Sequence, residues 1–304
     1  MVSIHELSRS YDKGKVKAID AVSLEVSQGE LFGLVGPDGA GKTTLFRMLT
    51  TLLLPDSGWA AVDGMDIVRD YKRIREHVGY MPGRFSLYQD LTVEENLNFF
   101  ATLFGTSIRE HYHLIKDIYA QIEPFKHRRA GKLSGGMKQK LALSCALIHK
   151  PRVLFLDEPT TGVDPVSRKE FWEMLRRLKH QGITILVSTP YMDEATLCDR
   201  IALMQVGKVL AVNTPAGIVS QYPERLFSVK ARAIPRLLAD VRAYPDTLSC
   251  FTFGEFLHVS FRELRGGTVE SMRGYLIEKG HEDVEIIGAE PTIEDCFIRL
   301  LRQA

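Results

Sequence analysis

Residues 30–49, ELFGLVGPDGAGKTTLFRML, constrain this chain more than any other stretch. An apolar run, Leu31 to Val35, leads into Gly36-Pro37-Asp38-Gly39-Ala40-Gly41-Lys42-Thr43-Thr44, and a helical pattern follows. The order is strand, glycine-rich loop, helix, and the loop fits G-x-x-x-x-G-K-[ST]. Glycines let the backbone curl until successive N–H groups point into one concavity, which binds an anion. The helix adds its positive end to the same spot. Lys42 supplies a point charge for outer phosphates, and the Thr43 hydroxyl is an oxygen of the kind Mg2+ takes. A chance glycine turn would need neither the flanking elements nor the Lys-Thr pair in register.

Composition sets the outer limits. The 304 residues suggest about two domains of ~150 residues. Lys+Arg is 39 and Asp+Glu is 38, so charge gives no argument for nucleic acid or an anionic membrane surface. Cys145, Cys198, Cys250 and Cys296 lie far apart with no C-x-x-C pair, which fits neither a disulfide framework nor a zinc site and suits a reducing compartment. The N-terminus lacks a charged-then-apolar leader pattern. No apolar run approaches the ~18 residues of a membrane span. The expectation is a chain soluble in itself, whose membrane role would need a spanning partner.

Taken in order, Val2 to Val26 reads as an antiparallel hairpin around Asp12-Lys13-Gly14. Tyr11, at the end of its first run, either stacks on a base or packs on the hairpin. A second hairpin, Gly58 to Met65, leads through a connection to His77-Val78-Gly79-Tyr80-Met81-Pro82. Thr92 and Glu95 are spaced as a capping box. Leu97, Phe100, Ala101 and Phe104 follow at helical spacing and mark a core face. Phe99 and Leu103 lie off that stripe, as a partner's docking surface or a widened core contact. Residues 84–149 look mainly helical and interrupt an alternating strand and helix pattern. Within them, Leu133-Ser134-Gly135-Gly136-Met137-Lys138-Gln139 precedes a helix from Lys140 to Ile148. This is a second glycine-softened helix N-terminus with a serine hydroxyl, hence a second anion site. An ordinary serine cap would not need two glycines.

Val153 to Leu156 is all apolar, as in a buried parallel strand, and ends in Asp157-Glu158. Ligands bind at that edge of open α/β sheets. Asp157 suits Mg2+ through water, and Glu158 suits orienting or deprotonating an attacking water. A turn to Asp164, a helix from Pro165 to Gln181, a strand from Ile183 to Ser188 and a closing hairpin around Gly207 follow. Residues 223–304 change character. Strands at Leu226–Ala231, Leu248–Phe253, Phe256–Phe261 and Val284–Ile287 alternate with helices at Pro235–Ala243 and Thr268–Lys279. The order β-α-β-β-α-β predicts a small ferredoxin-like α+β accessory domain, with a last helix from Thr292.

Together these motifs resemble the nucleotide-binding subunit of an ABC transporter, over residues 1 to about 220; the most specific element is LSGGMKQ placed between GPDGAGKTT and VLFLDEP. The tail resembles, more loosely, that of drug-exporter ATPases of the daunorubicin-resistance type. The resemblance implies an α/β P-loop NTPase fold over residues 1–222, with a mixed, largely parallel sheet core, an antiparallel β subdomain and the helical insert. It implies ATP and Mg2+ as ligands. Tyr11 becomes the adenine-stacking residue, and Gly36, Pro37, Asp38, Gly39, Ala40, Gly41, Lys42, Thr43 and Thr44 the phosphate cradle. Thr43 and Asp157 become metal-binding, and Glu158 and Lys42 catalytic. Ser134, Gly135 and Gly136 touch the γ-phosphate of ATP held by a second copy or a paralogue, and Asp164 matches the loop crossing that interface. The implied partners are a transmembrane permease and that second cassette, with no nucleic acid. The implied place is the cytoplasmic face of the cell membrane, and the implied role is export.

Two positions depart from the family pattern. Gly83 stands where a glutamine contacts Mg2+, and Pro190 where a histidine supports the γ-phosphate and the attacking water. Pro190 suits the first turn of a following helix with Thr189 as cap. Hydrolysis slower than that of a complete site is expected. Two other readings stay open: an ATP-dependent clamp of a heteromeric complex with little turnover, and a soluble cassette protein of translation or DNA repair. Such proteins commonly carry two cassettes or a long coiled coil, and a single Lys-Thr loop with no long heptads argues against the last.

Overall fold

The computed structural model describes residues 1–302, which divide into two compact units: Met1–Ile218 with the chain from Leu300 on, and Val219–Arg299. In the first unit, β1 (Val2–Tyr11) and β2 (Val16–Val26) pair antiparallel through a single 3-10 turn at Asp12–Gly14. β3 (Leu31–Val35) leads into α1 (Lys42–Leu49). β4 (Ser57–Val62) and β5 (Met65–Asp66) extend the first pair into a four-stranded sheet, order β2-β1-β4-β5. The connection expected before His77 contains α2 (Tyr71–His77), which leads into β6 (Val78–Met81).

The insert holds α3 (Val93–Leu103), α4 (Ile108–Tyr119) and α5 (Gly135–Leu147). Thr92 and Glu95 form the expected capping box. Val93, Asn96, Leu97 and Ala101 make the buried face of α3, and Phe100 and Phe104 are half-buried. Phe99 and Leu103 are 41% and 63% exposed, so they do not widen the core. Asn96 breaks the apolar stripe yet is fully buried, because its amide donates to Tyr88 O at 3.0 Å and Thr92 O at 2.9 Å and accepts from Tyr88 N at 3.1 Å. The helix expected from Lys140 begins at Gly135, because Ser134 caps it and glycine does not block a first turn.

β7 (Val153–Asp157), α6 (Pro165–His180), β8 (Thr184–Thr189), β9 (Arg200–Gln205) and β10 (Lys208–Asn213) complete the sheet core. Six strands run in the order β10-β9-β3-β8-β7-β6, parallel except for the β9–β10 hairpin. Every residue of β3, β7 and β8 is buried, the pattern of strands covered on both faces. Phe46 of α1 meets Phe155 of β7 edge to face at 5.5 Å. Each such ring contributes about 2–3 kcal/mol by burial. The register sets Val35 beside Thr189, Asp157 beside Ser188 and Leu156 beside Met81. The chain therefore leaves β3, β6, β7 and β8 at one edge.

α7 (Pro215–Val219) leads into the second unit, which contains β11 (Leu226–Lys230), α8 (Ile234–Ala243), β12 (Thr247–Phe253), β13 (Phe256–Phe261), α9 (Thr268–Glu278), β14 (Glu285–Ala289) and most of α10 (Ile293–Leu301). The antiparallel sheet runs β12-β13-β11-β14, with the β-α-β-β-α-β connectivity of a ferredoxin-like unit. Leu237, Val241, Met272 and Leu276 of its helices share a core with Val229, Leu257, Val259 and Ile286 of its strands. His258 alternates with Leu257 and Val259 and so faces the other way. There its Nδ1 lies 2.9 Å from Asp295 of α10.

Candidate functional site

The loop after β3 is shaped by close approach. A Cβ on Gly36 would lie 2.2 Å from the Met204 carbonyl oxygen, and one on Gly41 would lie 2.4 Å from that of Ala18. Gly41 takes φ +104 as the N-cap of α1, and no side chain caps that helix. Its first-turn N–H groups are thereby presented to an anion. The β9–β10 turn braces the loop from behind. Gly207 N donates to Ala40 O at 3.0 Å, and Asp20 N donates to Gly207 O at 2.9 Å. Val206 holds φ +45 in this turn, an uncommon place for a β-branched residue. Pro37, Asp38 and Gly39 form the outer rim; Asp38 and Gly39 are exposed.

Lys42 is only 3% exposed. Its ammonium donates to Gly36 O at 2.7 Å and Pro37 O at 3.0 Å and lies 3.2 Å from Glu158 Oε1. An ammonium has three protons, and these partners match them. Thr43 Oγ1 donates to Asp157 Oδ2 at 2.8 Å. Ser188 Oγ donates to Asp157 Oδ1 at 2.7 Å. Glu158 follows at φ +49, and its N–H donates to both Ser188 O at 3.1 Å and Ser188 Oγ at 3.0 Å. Residues 36, 37, 42, 43, 157, 158 and 188 thus form one connected cluster at the strand edge. Beside it, burial first and the Asp157 carboxylate second push the Tyr80 phenol up to about 12, so it stays protonated. Tyr11 stands at the rim, 37% exposed as a residue, with its hydroxyl 3.5 Å from Thr44 Oγ1.

The structure places Ser134, Gly135 and Gly136 elsewhere. Ser134 and Gly135 are exposed, and Ser134 Oγ accepts from Met137 N at 3.4 Å. A Cβ on Gly135 would lie 3.4 Å from Gly162 O, and one on Gly136 would lie 3.1 Å from Ser167 Oγ. This helix end therefore adjoins the turn at Gly162 and the first turn of α6. Asp164 caps α6 by accepting from Val166 and Ser167 N–H groups, and the Ser167 bonds hold its carboxyl below its usual range.

At Gly83 a Cβ would lie 3.1 Å from the Asp157 carbonyl oxygen, so the site has a neighbour there but no side chain. Pro190 does not start a helix as expected. A 3-10 turn begins only at Glu194. Thr189 Oγ1 instead accepts from Tyr191 N at 3.1 Å and donates to Glu194 Oε2 at 2.5 Å, which turns the chain before it can coil.

The ABC transporter family model matches residues 19–161. Over 302 residues the chain is 34% identical to a Nod factor export ATP-binding protein of Rhizobium sp. (strain N33), covering 94% of this chain and 93% of that protein. This chain belongs to the ABC transporter family of ATP-binding proteins. It is also 43% identical over 223 residues to the "Probable multidrug ABC transporter ATP-binding protein YbhF" of Escherichia coli (strain K12). That alignment covers 73% of this chain and 38% of YbhF, well under half of the relative's length. Of solved structures, cbiO1 from Clostridium perfringens, part of the ABC transporter complex cbiONQ, matches with a TM-score of 0.64 and 27% identity, over 72% of this chain and 90% of that one.

Membership places the protein among the ABC ATPases, whose ligands include ATP. The residues present fit Mg2+ as well. Among the described residues no three His, Cys, Asp or Glu side chains gather into a metal cage. Mg2+ does not ask for one; it keeps waters and takes one or two carboxylates together with substrate phosphates. The Thr43 hydroxyl and Asp157 carboxylate, 2.8 Å apart, are hard oxygen donors of that kind. The four cysteines are buried, and none is joined in a disulfide among the described residues. Sequence reasoning missed Ser188, whose only signal is a hydroxyl at the end of an apolar strand. It also missed the Val206-Gly207 brace, which no local pattern announces.

Proposed function

We propose that this ABC protein binds Mg-ATP in the β3–α1 loop, hydrolyses it slowly at Glu158, and powers export through a separate permease. The observation that supports it best is the connected line Thr43–Asp157–Ser188–Glu158–Lys42 at the edge where the P-loop begins. The N–H groups of Gly39, Gly41, Lys42 and Thr43 and the Lys42 ammonium bind the outer phosphates. Thr43 and Asp157 would hold Mg2+, which when bound neutralises phosphate charge. Tyr11 offers the adenine its exposed ring. As the phosphates take up Lys42, Glu158 loses its ion pair and turns to the attacking water, accepting its proton.

Ser134, Gly135 and Gly136 lie apart from this cluster with open N–H groups, so they serve ATP on a second cassette, and two cassettes close head to tail. An apolar groove of about 300 Å³, lined by Leu52, Tyr80, Pro82, Phe100, Phe104 and His149, suits the permease. Exposed Phe99 and Leu103 belong to the same helix. No helix among the described residues is long and apolar enough to cross a membrane; in the proposed arrangement the permease is a separate spanning chain, met at its cytoplasmic face. Relatives named for multidrug transport and Nod factor export support the direction.

A second reading keeps the clamp and drops most turnover, since Gly83 and Pro190 leave the water with fewer positioning groups. Steady-state ATPase of the purified chain beside Glu158→Gln decides between them. Clear turnover lost in the variant supports hydrolysis at Glu158, and equal rates overturn it. Light scattering of Glu158→Gln with Mg-ATP should show dimers that Ser134→Arg abolishes; monomers throughout, with no second cassette to pair with, would overturn the head-to-tail arrangement.

A further inference from the structure

We infer that Ser188 is a positioning residue for the whole acid pair: its hydroxyl orients Asp157 toward Mg2+ and fixes the reversed backbone turn that carries Glu158. This rests on the hydrolytic reading above and adds a residue to it. Ser188 is fully buried at the end of β8, directly beside Asp157 in the parallel register. A serine hydroxyl has one proton and two lone pairs. Here the proton goes to Asp157 Oδ1 at 2.7 Å, and a lone pair receives the Glu158 N–H at 3.0 Å. The Ser188 carbonyl receives that same N–H at 3.1 Å. One residue thus grips both acids, one by its carboxylate and the other by its backbone.

The neighbours do not duplicate this. The Thr189 hydroxyl is spent on Glu194 and the Tyr191 N–H. Pro190 has no N–H and no side-chain donor. Thr43 donates to the other oxygen of Asp157 at 2.8 Å, but its hydroxyl is the proposed metal ligand. Once that oxygen turns to a cation, Ser188 is left holding the Asp157 carboxylate. Partners that orient a metal's ligands typically matter ten- to a hundredfold in affinity. Glu158 needs its hold for another reason. At φ +49 it occupies a region L residues rarely adopt, and such conformations persist only where surroundings over-determine them.

The test uses the full chain with Ser188→Ala, Ser188→Thr and Ser188→Cys, and reads Mg2+ rather than turnover first. Binding of a fluorescent trinitrophenyl-ATP is titrated with Mg2+ and repeated in EDTA. Ser188→Ala should need about tenfold more Mg2+ for half-maximal effect. It should bind the analogue in EDTA as wild type does, and Ser188→Thr should restore the wild-type Mg2+ midpoint. A wild-type midpoint in Ser188→Ala overturns the inference. So does a shift in Ser188→Thr as large as that in Ser188→Ala, since that would be packing alone. Should Ser188→Ala not fold, Ser188→Cys, which keeps the volume with a weak donor, carries the same reading. Glu158→Gln separates the two claims: if it turns over ATP like wild type, hydrolysis at Glu158 fails, while the Mg2+ midpoints still judge Ser188.

Discussion

At the N-terminal edge of the parallel strands, polar groups close on one another. Gly29 N donates to Thr184 Oγ1 at 2.9 Å, Leu31 N to Asp199 Oδ2 at 2.8 Å, and Arg152 N to His77 O at 2.8 Å; Arg200 pairs with Glu30 at 3.3 Å. The opposite edge of the same strands behaves differently. α1 begins there without a side-chain cap, Glu158 sits in a strained conformation, and the buried Lys42 is held by carbonyls that phosphates can replace. Identical backbone, cut at its two ends, yields a sealed seam and an open one. The sealed edge carries stability, and the open edge carries binding and chemistry at some cost in strain.

That contrast breaks if substitutions at the open edge unfold the protein, or if those at the sealed edge change its chemistry. The largest effect expected is from Glu158→Gln: ATP turnover should fall about 10²–10⁴-fold, with the thermal midpoint unchanged by calorimetry. Next, Gly83→Gln with Pro190→His returns two positioning groups to the open edge and should raise steady-state turnover about tenfold or more. At Gly83 the added Cβ would sit 3.1 Å from Asp157 O, so the gain requires that carbonyl to yield by a few tenths of an ångström. A null result would show that the lost groups are replaced from elsewhere.

The sealed side has a pH signature. His149, stacked on Phe104 and hydrogen-bonded to Val78 O, is lowered by burial from 6.5 to about 4, with His111 and His77 adding repulsion. Its folded pKa lies below the unfolded one, so the unfolded chain takes up the proton first. Stability is therefore full above about 6.5 and declines as pH falls toward about 4, by on the order of 2–3 kcal/mol. Urea unfolding across that window should show the loss, and His149→Phe should flatten it. Smallest is Asp199→Ala, which removes the acceptor of Leu31 N and the partner of Lys179 at 2.6 Å. It should cost about 1–2 kcal/mol while leaving ATP-analogue affinity unchanged.

What sequence makes legible here follows from how local each cause is. Gly36 to Thr44 and Asp157-Glu158 are contiguous, and their chemistry is written in neighbouring letters. The capping box at Thr92 and Glu95 is equally local. Ser188 is not, because its partners lie on β7, some thirty residues earlier, and only the parallel register joins them. The burial of Asn96 is as hard to read in sequence: part of its amide bonding goes to the Tyr88 backbone, outside α3. Phe99 and Leu103 stay undecided in sequence, since apolar character alone does not say which side of α3 is covered; the structure leaves both exposed. The early start of α5 at Gly135 escapes propensity, which penalises glycine, and is decided by the cap.

The Val206-Gly207 turn looks like a convenient place to attach a dye or insert a peptide tag, being solvent-facing with Val206 68% exposed. It is a poor choice. Through Gly207 its backbone grips both Ala40 and Asp20, so a graft there would pull directly on the nucleotide loop. A reporter placed in it would register ATP by disturbing the very grip it was meant to observe.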